Sequence, residues 1–182
     1  MQGVGFCLFD TAIGPCGIAW GERGIVAIQL PERTPAQTRA RLMRGCPGAR
    51  SLPPSISVQR AIDAIVALMR GEAIDLSFVE LDMERVPAFN RRVYEVARTI
   101  PPGATLTYGD IANRMDARGQ ARAVGQALGR NPFPIVVPCH RVVAAGGRLG
   151  GFSAPGGTAT KQRLLAIEGA RAPAARATFL PL

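Results

Sequence analysis

Apolar residues alternate with polar or small ones through the first 30 positions of the chain, as they do in half-buried β-strands. Phe6 and Leu8 belong to the first such run, and clusters of turn-forming residues at 10–14 and 21–24 interrupt the pattern twice. The pattern therefore predicts an antiparallel meander of three strands over residues 3–30.

Two helices are predicted after this meander. A threonine followed by a proline at positions 34 and 35 is typical of a helix start, and the helical pattern continues to about residue 44. Apolar residues then recur at helical spacing over 58–70. We expect a loop at 45–54 and a further strand at 76–81, which completes a small α/β unit with no catalytic pattern of its own.

The part of the chain after residue 84 is predicted to be mostly helical. Apolar positions recur at helical spacing over 89–100, and a cap at Thr107 begins a helix that ends near residue 114. A turn leads from there into a second helix over 120–130. These two helices form a helix-turn-helix candidate whose second helix suits a DNA groove, although helix pairs joined by a short turn are also common packing units.

The chain has 182 residues, of which 47% are hydrophobic, so it can bury one good core or two small ones. No apolar run approaches the roughly 18 residues of a membrane span. The first residues also lack a basic segment followed by an apolar signal core, so we expect a cytoplasmic protein with reduced cysteines and no membrane partner. We predict the α+β class, with a small α/β domain at 1–84, a mostly helical domain at 85–170 and a basic tail at 171–182.

Positive charge is concentrated in the second half of the chain. Residues 1–84 carry eight basic and nine acidic side chains, whereas residues 85–182 carry fourteen and four. An arginine-rich composition would raise the basic count everywhere, so it does not account for the neutral first half. The asymmetry favours a polyanionic partner for the second half.

The only histidine of the chain, His140, directly follows a cysteine. Prolines bracket the apolar run 135–137, which predicts a short buried strand that ends at Pro138 and holds the Cys139 thiol at its end. A free cysteine often packs as a small hydrophobe, and that interpretation stays open. A nucleophilic thiol needs help to ionise at neutral pH, and both His140 and Arg141 can favour the thiolate.

The other cysteines, Cys7, Cys16 and Cys46, form no C-x-x-C pair, and the chain has no second histidine. Support for a zinc site is therefore poor, and we predict no metal. The glycine-rich segment 146–157 could approach a flat base closely, but it lacks the G-x-x-x-x-G-K-[ST] pattern of a phosphate-binding loop. We predict no cofactor.

The segment Pro138-Cys139-His140-Arg141-Val142, with Asn131-Pro132 upstream, resembles the active-site signature of the O6-alkylguanine-DNA alkyltransferases, also called methylated-DNA–protein-cysteine methyltransferases. The likeness is strong over residues 89–169 and general in shape before them. Further stretches follow the family's order: Thr107-Tyr108-Gly109-Asp110-Ile111-Ala112, Arg122-Ala123-Val124-Gly125, Gly150-Gly151-Phe152-Ser153, and Lys161 through Glu168-Gly169. The resemblance implies that residues 1–84 form a ribonuclease-H-like scaffold domain.

The same resemblance implies DNA repair by a single transfer, in which the Cys139 sulfur attacks the alkyl carbon of O6-alkylguanine, or of O4-alkylthymine, and the base leaves. Adjacent side chains of an extended strand point to opposite faces, so His140 would act on the thiol through a bridging water. Glu168 would orient the other imidazole nitrogen, and the Tyr108 phenol would protonate the departing guanine. Because no second nucleophile is evident, the thioether would be permanent.

Glu168 also has a physical reason to be a site residue. It follows a predicted helix over 160–167, and the helix dipole disfavours a carboxylate at that end. A buried carboxylate paired with His140 would offset this disadvantage, although single glutamates also occur at helix ends by chance.

Repair chemistry at the O6 position requires the damaged nucleotide to rotate out of the DNA stack. The resemblance implies that the second helix enters the minor groove of double-stranded DNA, where Arg122 fills the space left by the base and Tyr108 crowds the adjacent phosphate. The small residues Ala121, Ala123 and Gly125 allow that helix to approach either DNA or the protein core closely. Tyr108 could instead cover the apolar layer, and Arg122 could be an ordinary phosphate contact.

The base pocket is likewise implied by the resemblance. The Ser153 amide would donate to guanine O6, the Val142 carbonyl would accept from the exocyclic amine, and Phe152 and Pro134 would complete the pocket. Asn131 would bond the backbone near the thiol and tie it to the second helix. Phe152 stands where many members have tyrosine, which puts the loop shape, and hence the range of alkyl groups, in question. We expect a monomer.

Two other functions stay open. An alkyltransferase-like DNA-binding protein would share the fold and base pocket but replace the nucleophile, and the presence of Cys139 argues against it. A cysteine hydrolase would use a thiol and a histidine that are distant in sequence, whereas the only histidine here is adjacent to the cysteine. Methylation of the Cys139 peptide by O6-methylguanine DNA, or turnover of an ester, would distinguish these functions.

Overall fold

The computed structural model describes residues 4–170 and has the predicted α+β architecture. Strands β1 (Gly5–Thr11), β2 (Gly14–Gly21) and β3 (Gly24–Gln29) form the predicted antiparallel meander. Gly14 and Gly24 begin β2 and β3 with φ angles of 120° and 125°, so the two tight turns favour residues without a Cβ. The meander prediction is confirmed.

Two helices and a fourth strand complete the first half. Helix α1 (Pro35–Gly45) is capped by the Thr34 side chain, which accepts a hydrogen bond from a first-turn amide, and α2 (Ile56–Met69) is capped in the same way by Ser55. Both predicted helices are confirmed. Strand β4 (Arg50–Ser51) pairs in parallel with β1 inside the segment that was predicted to be a loop, and the sheet order is β3-β2-β1-β4.

The strand predicted at 76–81 is wrong. The Asp75 carboxylate accepts hydrogen bonds from the amide and the hydroxyl of Ser77, at 2.8 Å each, and these bonds turn the chain where a strand would have to continue. The last residue of the segment makes an isolated sheet-like bridge to β3. Leu76 and Val79 are nevertheless buried, so the apolar pattern correctly indicated buried side chains but not an extended backbone.

Residues 85–170 contain four α-helices and a parallel pair of short strands: α3 (Ala88–Arg98), β5 (Leu106–Thr107), α4 (Tyr108–Arg114), α5 (Ala121–Gly129), β6 (Val142–Val143) and α6 (Gly157–Ile167). Thr107 and Asp110 form a capping box at the start of α4. The Thr107 hydroxyl accepts from Asp110 N at 3.0 Å, and the Asp110 carboxylate accepts from Thr107 N at 2.8 Å. The four predicted helices are confirmed, and the last begins at Gly157 instead of 160.

The strand predicted at 135–137 is also wrong. Pro134 and Val137 bridge across a tight turn, and Val137 donates its amide back across that turn at 2.8 Å. Ile135 has a φ of 76°, a left-handed conformation that costs a β-branched residue on the order of 1–3 kcal/mol. The next segment is a short 3₁₀ turn, Cys139–Arg141, so the thiol begins a turn and does not end a strand.

One large apolar cluster extends through both halves of the described chain. It includes Ile18 of β2 and Val137 of the tight turn, both of them fully buried. Backbone bonding also joins the halves, because Ile28 N of β3 donates to Pro132 O at 2.8 Å. This bond holds β3 against the segment that leads to the thiol. The division into domains at residue 84 stays a prediction.

None of the helices described within residues 4–170 combines enough length with enough apolar character to cross a bilayer. The predicted cytoplasmic location does not follow from this finding and stays a prediction. The basic tail predicted at 171–182 lies outside the described residues.

Candidate active site

Cys139 is a partly exposed residue at the start of the 3₁₀ turn. The side chain of Asn131 braces the preceding loop, because its Nδ2 donates to Val137 O and its Oδ1 accepts from Phe133 N, both at 2.9 Å. Asn131 N in turn donates to Leu128 O of α5 at 3.2 Å. The backbone bonds predicted for Asn131 are present, and they connect α5 with the loop that positions the thiol.

The surroundings of the Cys139 thiol act on its pKa in opposite directions. Burial raises the pKa, whereas a hydrogen bond with Asn131 and the positive charge of Lys161 lower it, and the net pKa stays above the ordinary value. The thiol is therefore protonated at neutral pH. Reaction as a nucleophile requires a proton acceptor nearby.

His140 has the properties of such an acceptor. It is fully buried, and its Nε2 lies 2.9 Å from Glu168 Oε1. Burial lowers the pKa of His140, and the hydrogen bond with Glu168 opposes this only in part, so the ring is neutral at neutral pH. A neutral ring that donates from Nε2 has an unprotonated Nδ1, and this buried atom has no hydrogen-bond partner within residues 4–170.

Glu168 is shared between His140 and Arg141. Arg141 Nε donates to Glu168 Oε2 at 2.8 Å, Nη2 donates to Oε1 at 2.7 Å, and Nη1 donates to Ile100 O at 2.6 Å. Burial raises the pKa of Glu168, but the hydrogen bonds from His140 and Arg141 outweigh it and lower the pKa to about 2. The Arg141 charge is thus balanced by Glu168 and not by the thiolate, which corrects the interpretation drawn from its position near Cys139.

A cavity of about 950 Å³ lies beside Cys139, bounded by α4, α5 and the glycine-rich segment. The exposed side chains of Arg122 and Arg148 make this cavity positive. Ala123 is the predicted DNA-binding residue on α5 that does not line it. The other predicted site residues in its wall are Tyr108, Ala121, Arg122, Gly125, Phe152 and Ser153.

A second cavity, of about 230 Å³, also reaches Cys139. Part of its wall comes from predicted site residues, namely Asn131, Pro134, Phe152 and Ser153. Another part comes from Ile28 and Gln29 of β3 and from Leu30 after it. The first half of the chain therefore contributes to the surroundings of the thiol, and no pattern in its sequence indicated this.

Tyr108 packs closely against two glycines. A Cβ on Gly125 of α5 would lie 3.7 Å from the Tyr108 ring, an ordinary packing distance, whereas one on Gly150 would lie 3.0 Å from the phenol oxygen, so a larger residue at position 150 would force the ring to shift. The Tyr108 hydroxyl donates to Gly151 O at 3.5 Å. Burial, and to a lesser extent the charge of Cys139, raise the pKa of Tyr108, so the phenol keeps its proton.

Val142 and Ser153 are held by contacts that the sequence did not predict. The Val142 carbonyl accepts a hydrogen bond from Lys161 Nζ at 2.5 Å and keeps a second lone pair for another donor. Ser153 Oγ donates to Gly129 O at 2.9 Å, which fixes the glycine-rich segment to the end of α5. Lys161 was recognised only as part of a matching stretch. Its being the sole lysine in an arginine-rich chain was the available signal.

The free thiols of Cys7, Cys16 and Cys46 are in the first half of the chain. Within residues 4–170, no three His, Cys, Asp or Glu side chains come together in a group that could hold a metal ion. The prediction that the protein uses no metal stays a prediction.

Comparisons with known proteins agree with this arrangement. Residues 88–170 match the family model described as 6-O-methylguanine DNA methyltransferase, DNA binding domain. The methylated-DNA–protein-cysteine methyltransferase of Mycobacterium tuberculosis is 40% identical over 165 residues, 91% of this chain and 92% of the relative. The protein of that name from Methanothermobacter thermautotrophicus is 37% identical over 153 residues, 84% of this chain and 78% of the relative. The M. tuberculosis OGT solved in complex with DNA has a TM-score of 0.70 at 35% identity, covering 93% of this chain and 96% of that chain.

Proposed function

The chain belongs to the methylated-DNA–protein-cysteine methyltransferase family, and we propose that it repairs DNA by taking the alkyl group of O6-alkylguanine, or of O4-alkylthymine, onto Cys139. One observation carries the proposal above the others. A partly exposed cysteine lines a large positive cavity, and the adjacent histidine is fully buried against a carboxylate, while its other ring nitrogen has no hydrogen-bond partner among residues 4–170.

The proposed activation of the thiol uses that unpartnered nitrogen. A water between Cys139 Sγ and His140 Nδ1 would accept the thiol proton and pass its own proton to the ring. The imidazolium that forms would be stabilised by Glu168, which is ionised because its pKa is about 2. The thiolate then attacks the alkyl carbon in line, so the S–C bond forms as the C–O6 bond breaks.

The departing guanine carries the negative charge that the thiolate brought, and it must gain a proton. Tyr108 lines the larger cavity and keeps its phenol proton at neutral pH, which supports it as the donor. The product is a thioether, which is a stable group that no described residue is placed to cleave. One protein molecule would therefore repair one base.

Base eversion follows from the position of the O6 atom inside the stacked duplex. We assign α4 and α5 to a helix-turn-helix whose second helix enters the minor groove, with Arg122 replacing the everted base. The Ser153 amide, the Val142 carbonyl, Phe152 and Pro134 would hold that base. The first half is assigned as a ribonuclease-H-like scaffold, and a monomer is expected to bind double-stranded DNA.

The proposal is tested by incubating the protein with DNA that contains O6-methylguanine and measuring the mass of the Cys139 peptide. We expect the mass of the peptide to rise by that of one methylene group, which is the net gain when a methyl group replaces the thiol hydrogen. We expect no more than one methyl group per protein molecule. A Cys139→Ser variant is the matched control. Binding of the DNA without a mass gain would indicate an alkyltransferase-like binding protein, and repeated turnover of an ester would indicate a hydrolase.

Arg122 offers a test of the base-replacement role. Because a side chain that fills the vacated stack acts after docking, Arg122→Ala should lower the repair rate by tenfold or more, yet weaken binding by only about threefold. Arg118→Ala removes the same charge from the exposed turn before α5 and serves as the control. It should lower binding and repair together. Equal losses in the Arg122 variant would assign that residue to phosphate contact.

A further inference from the structure

Lys161 is the only lysine of the chain and lies fully buried on α6. Its Nζ donates to Val142 O at 2.5 Å and to Gly151 O at 3.5 Å. The rings of Tyr108 and Phe152 flank the ammonium, with their centroids 5.8 and 6.0 Å away. Both rings also line the larger cavity, as Cys139 does, so the ammonium lies against part of the wall of the cavity that the thiol faces.

No carboxylate compensates this buried charge within the part of the chain that the structure describes. The salt bridges among residues 4–170 do not include Lys161, and the carboxylate at the end of its own helix, Glu168, is bound to His140 and Arg141. A buried ammonium that is satisfied only by carbonyl oxygens and ring faces is costly, so its position needs an anion to account for it.

We propose that this anion is the thiolate that Cys139 becomes when its proton is removed in the reaction, and that Lys161 is a positioning residue that stabilises this thiolate and fixes the Val142 carbonyl for the incoming base. The inference deepens the proposed function and rests on it, since it assumes that Cys139 reacts as a thiolate. Of the other two basic side chains near the thiol, Arg141 is balanced by Glu168 and His140 is neutral before reaction. Lys161 therefore supplies the positive charge that remains.

The mutual effects of the two groups agree with this assignment. The charge of Lys161 lowers the pKa of Cys139. Burial lowers the pKa of Lys161 to about 8, and the charge of Cys139 opposes this fall. His140 and Tyr108 are the other titratable groups that face the ammonium, and His140 is made less basic by it. Ionisation of Cys139 during the reaction would give Lys161 a counter-charge, and formation of the neutral thioether would remove that counter-charge again.

A sole lysine makes this consequence directly measurable. In protein labelled with ¹³C-lysine, a single side-chain signal reports the protonation of Lys161 as the pH is raised. A permanent anion at the position of the thiol, in Cys139→Asp, should raise the pKa of Lys161 by about one unit above its value in the uncharged Cys139→Ser variant, since a nearby opposite charge favours the ammonium. Equal pKa values for Lys161 in the two variants would overturn the proposal.

The complementary measurement follows the thiol. The rate at which iodoacetamide modifies the Cys139 peptide is measured against pH in the wild type, in Lys161→Met and in Arg163→Met, which removes the same charge from an exposed position of α6. We expect the Lys161 variant to show a pKa for Cys139 raised by about one unit, with a rate about tenfold lower at neutral pH that recovers at high pH. A purely structural role would lower the rate at every pH without moving the pKa.

These experiments separate the two proposals. If the wild type accepts a methyl group from DNA but Lys161→Met leaves the thiol titration unchanged, the counter-ion role fails and the repair function stands. If the titration shifts but no methyl group is transferred by the wild type, the repair function fails instead. Should Lys161→Met not fold, the Cys139→Asp and Cys139→Ser variants retain the lysine, and the difference between their signals still decides the question.

Discussion

Cys16 and Cys139 are both free thiols in contact with the apolar core, but their neighbours differ in kind. Cys16 lies in the middle of the sheet on β2 and is 0% exposed. The side chain within hydrogen-bonding reach is that of Thr11, whose Oγ1 is 3.8 Å from the sulfur. Burial raises the pKa of Cys16 to about 12, and Thr11 offsets little of this, so the thiol packs as a small hydrophobic group.

Burial raises the pKa of Cys139 as well, so the two thiols are not distinguished by burial. The two thiols differ in the polar side chains around them, and those around Cys139, namely Asn131, His140 and Lys161, are called its polar frame below. Asn131 and Lys161 favour its ionised form, His140 presents an acceptor atom with no partner in the described part of the chain, and Cys139 lines two cavities. A reactive cysteine in this protein is thus made by its polar neighbours and by space for a substrate.

The polar frame is unfavourable for folding in several respects. Ile135 holds a left-handed backbone conformation, and Glu168 and Lys161 carry charges in the interior. Such features persist only where the surrounding structure fixes them. Packing of the first half supplies part of that support, since β3 is bonded to the loop before Cys139 and walls its smaller cavity. The region around Cys16 therefore contributes stability that the region around Cys139 requires.

The largest expected effect is on methyl transfer, when each cysteine is replaced in turn by alanine. Cys139→Ala should abolish methyl transfer from O6-methylguanine DNA and leave the free energy of unfolding little changed. Cys16→Ala should keep the transfer rate and lower the free energy of unfolding by about 1 kcal/mol, as is common for small core truncations. Single-turnover transfer and urea unfolding of both variants measure this. Loss of transfer in a Cys16 variant that remains folded would mean that the packing around Cys16 also sets the geometry at Cys139.

Sequence patterns predicted the parts of this structure that depend on near neighbours. The cap at Thr107 and the meander of the first half rest on residues a few positions apart, and both are present. The two wrong strands, at 76–81 and 135–137, have apolar patterns that fit buried turns equally well. In each segment, a polar side chain outside the apolar run, Asp75 or Asn131, accepts a hydrogen bond from a backbone amide and stabilises a turn. The spacing of hydrophobic residues does not indicate such bonds.

The features of the candidate site likewise fall into those that the sequence predicted and those that depend on contacts between distant segments. Cys139 and His140 were found because they are adjacent, and Glu168 because of its place at a helix end and the family resemblance. The bidentate pair of Glu168 with Arg141 joins residues 27 positions apart, and nothing in the composition of either segment indicates it. The β3 wall of the smaller cavity arises from packing between segments that are farther apart still.

The second prediction concerns pH and the carboxylate under His140. The pKa of Glu168 falls from its ordinary value of 4.5 to about 2 on folding, so its contribution is fully present above pH 4.5 and is lost as the pH falls through about 2. The loss amounts to about 3 kcal/mol. Urea unfolding of the wild type between neutral pH and pH 2.5 should show it.

Glu168→Gln tests the source of this pH dependence. The variant cannot ionise at this position, so its stability should fall less over the same pH range and should already be lower at neutral pH. Glu95→Gln, at an exposed position of α3, should behave like the wild type. If the acid loss were the same in all three proteins, another group would be responsible. Labelling of Cys16 under native conditions should stay negligible in each, because its sheet does not involve this carboxylate.

The smallest expected effect compares two helix caps, one in each region. Thr34 caps α1, which packs on the strand that holds Cys16, and Thr107 caps α4, whose first residue is Tyr108. Replacement of either threonine by alanine should lower the free energy of unfolding by about 1 kcal/mol. Only Thr107→Ala should also slow methyl transfer, because fraying of the first turn of α4 displaces the phenol from the cavity. Equal transfer rates in the two variants would show that the position of Tyr108 is held by its contacts with Gly125 and Gly150 and not by the cap.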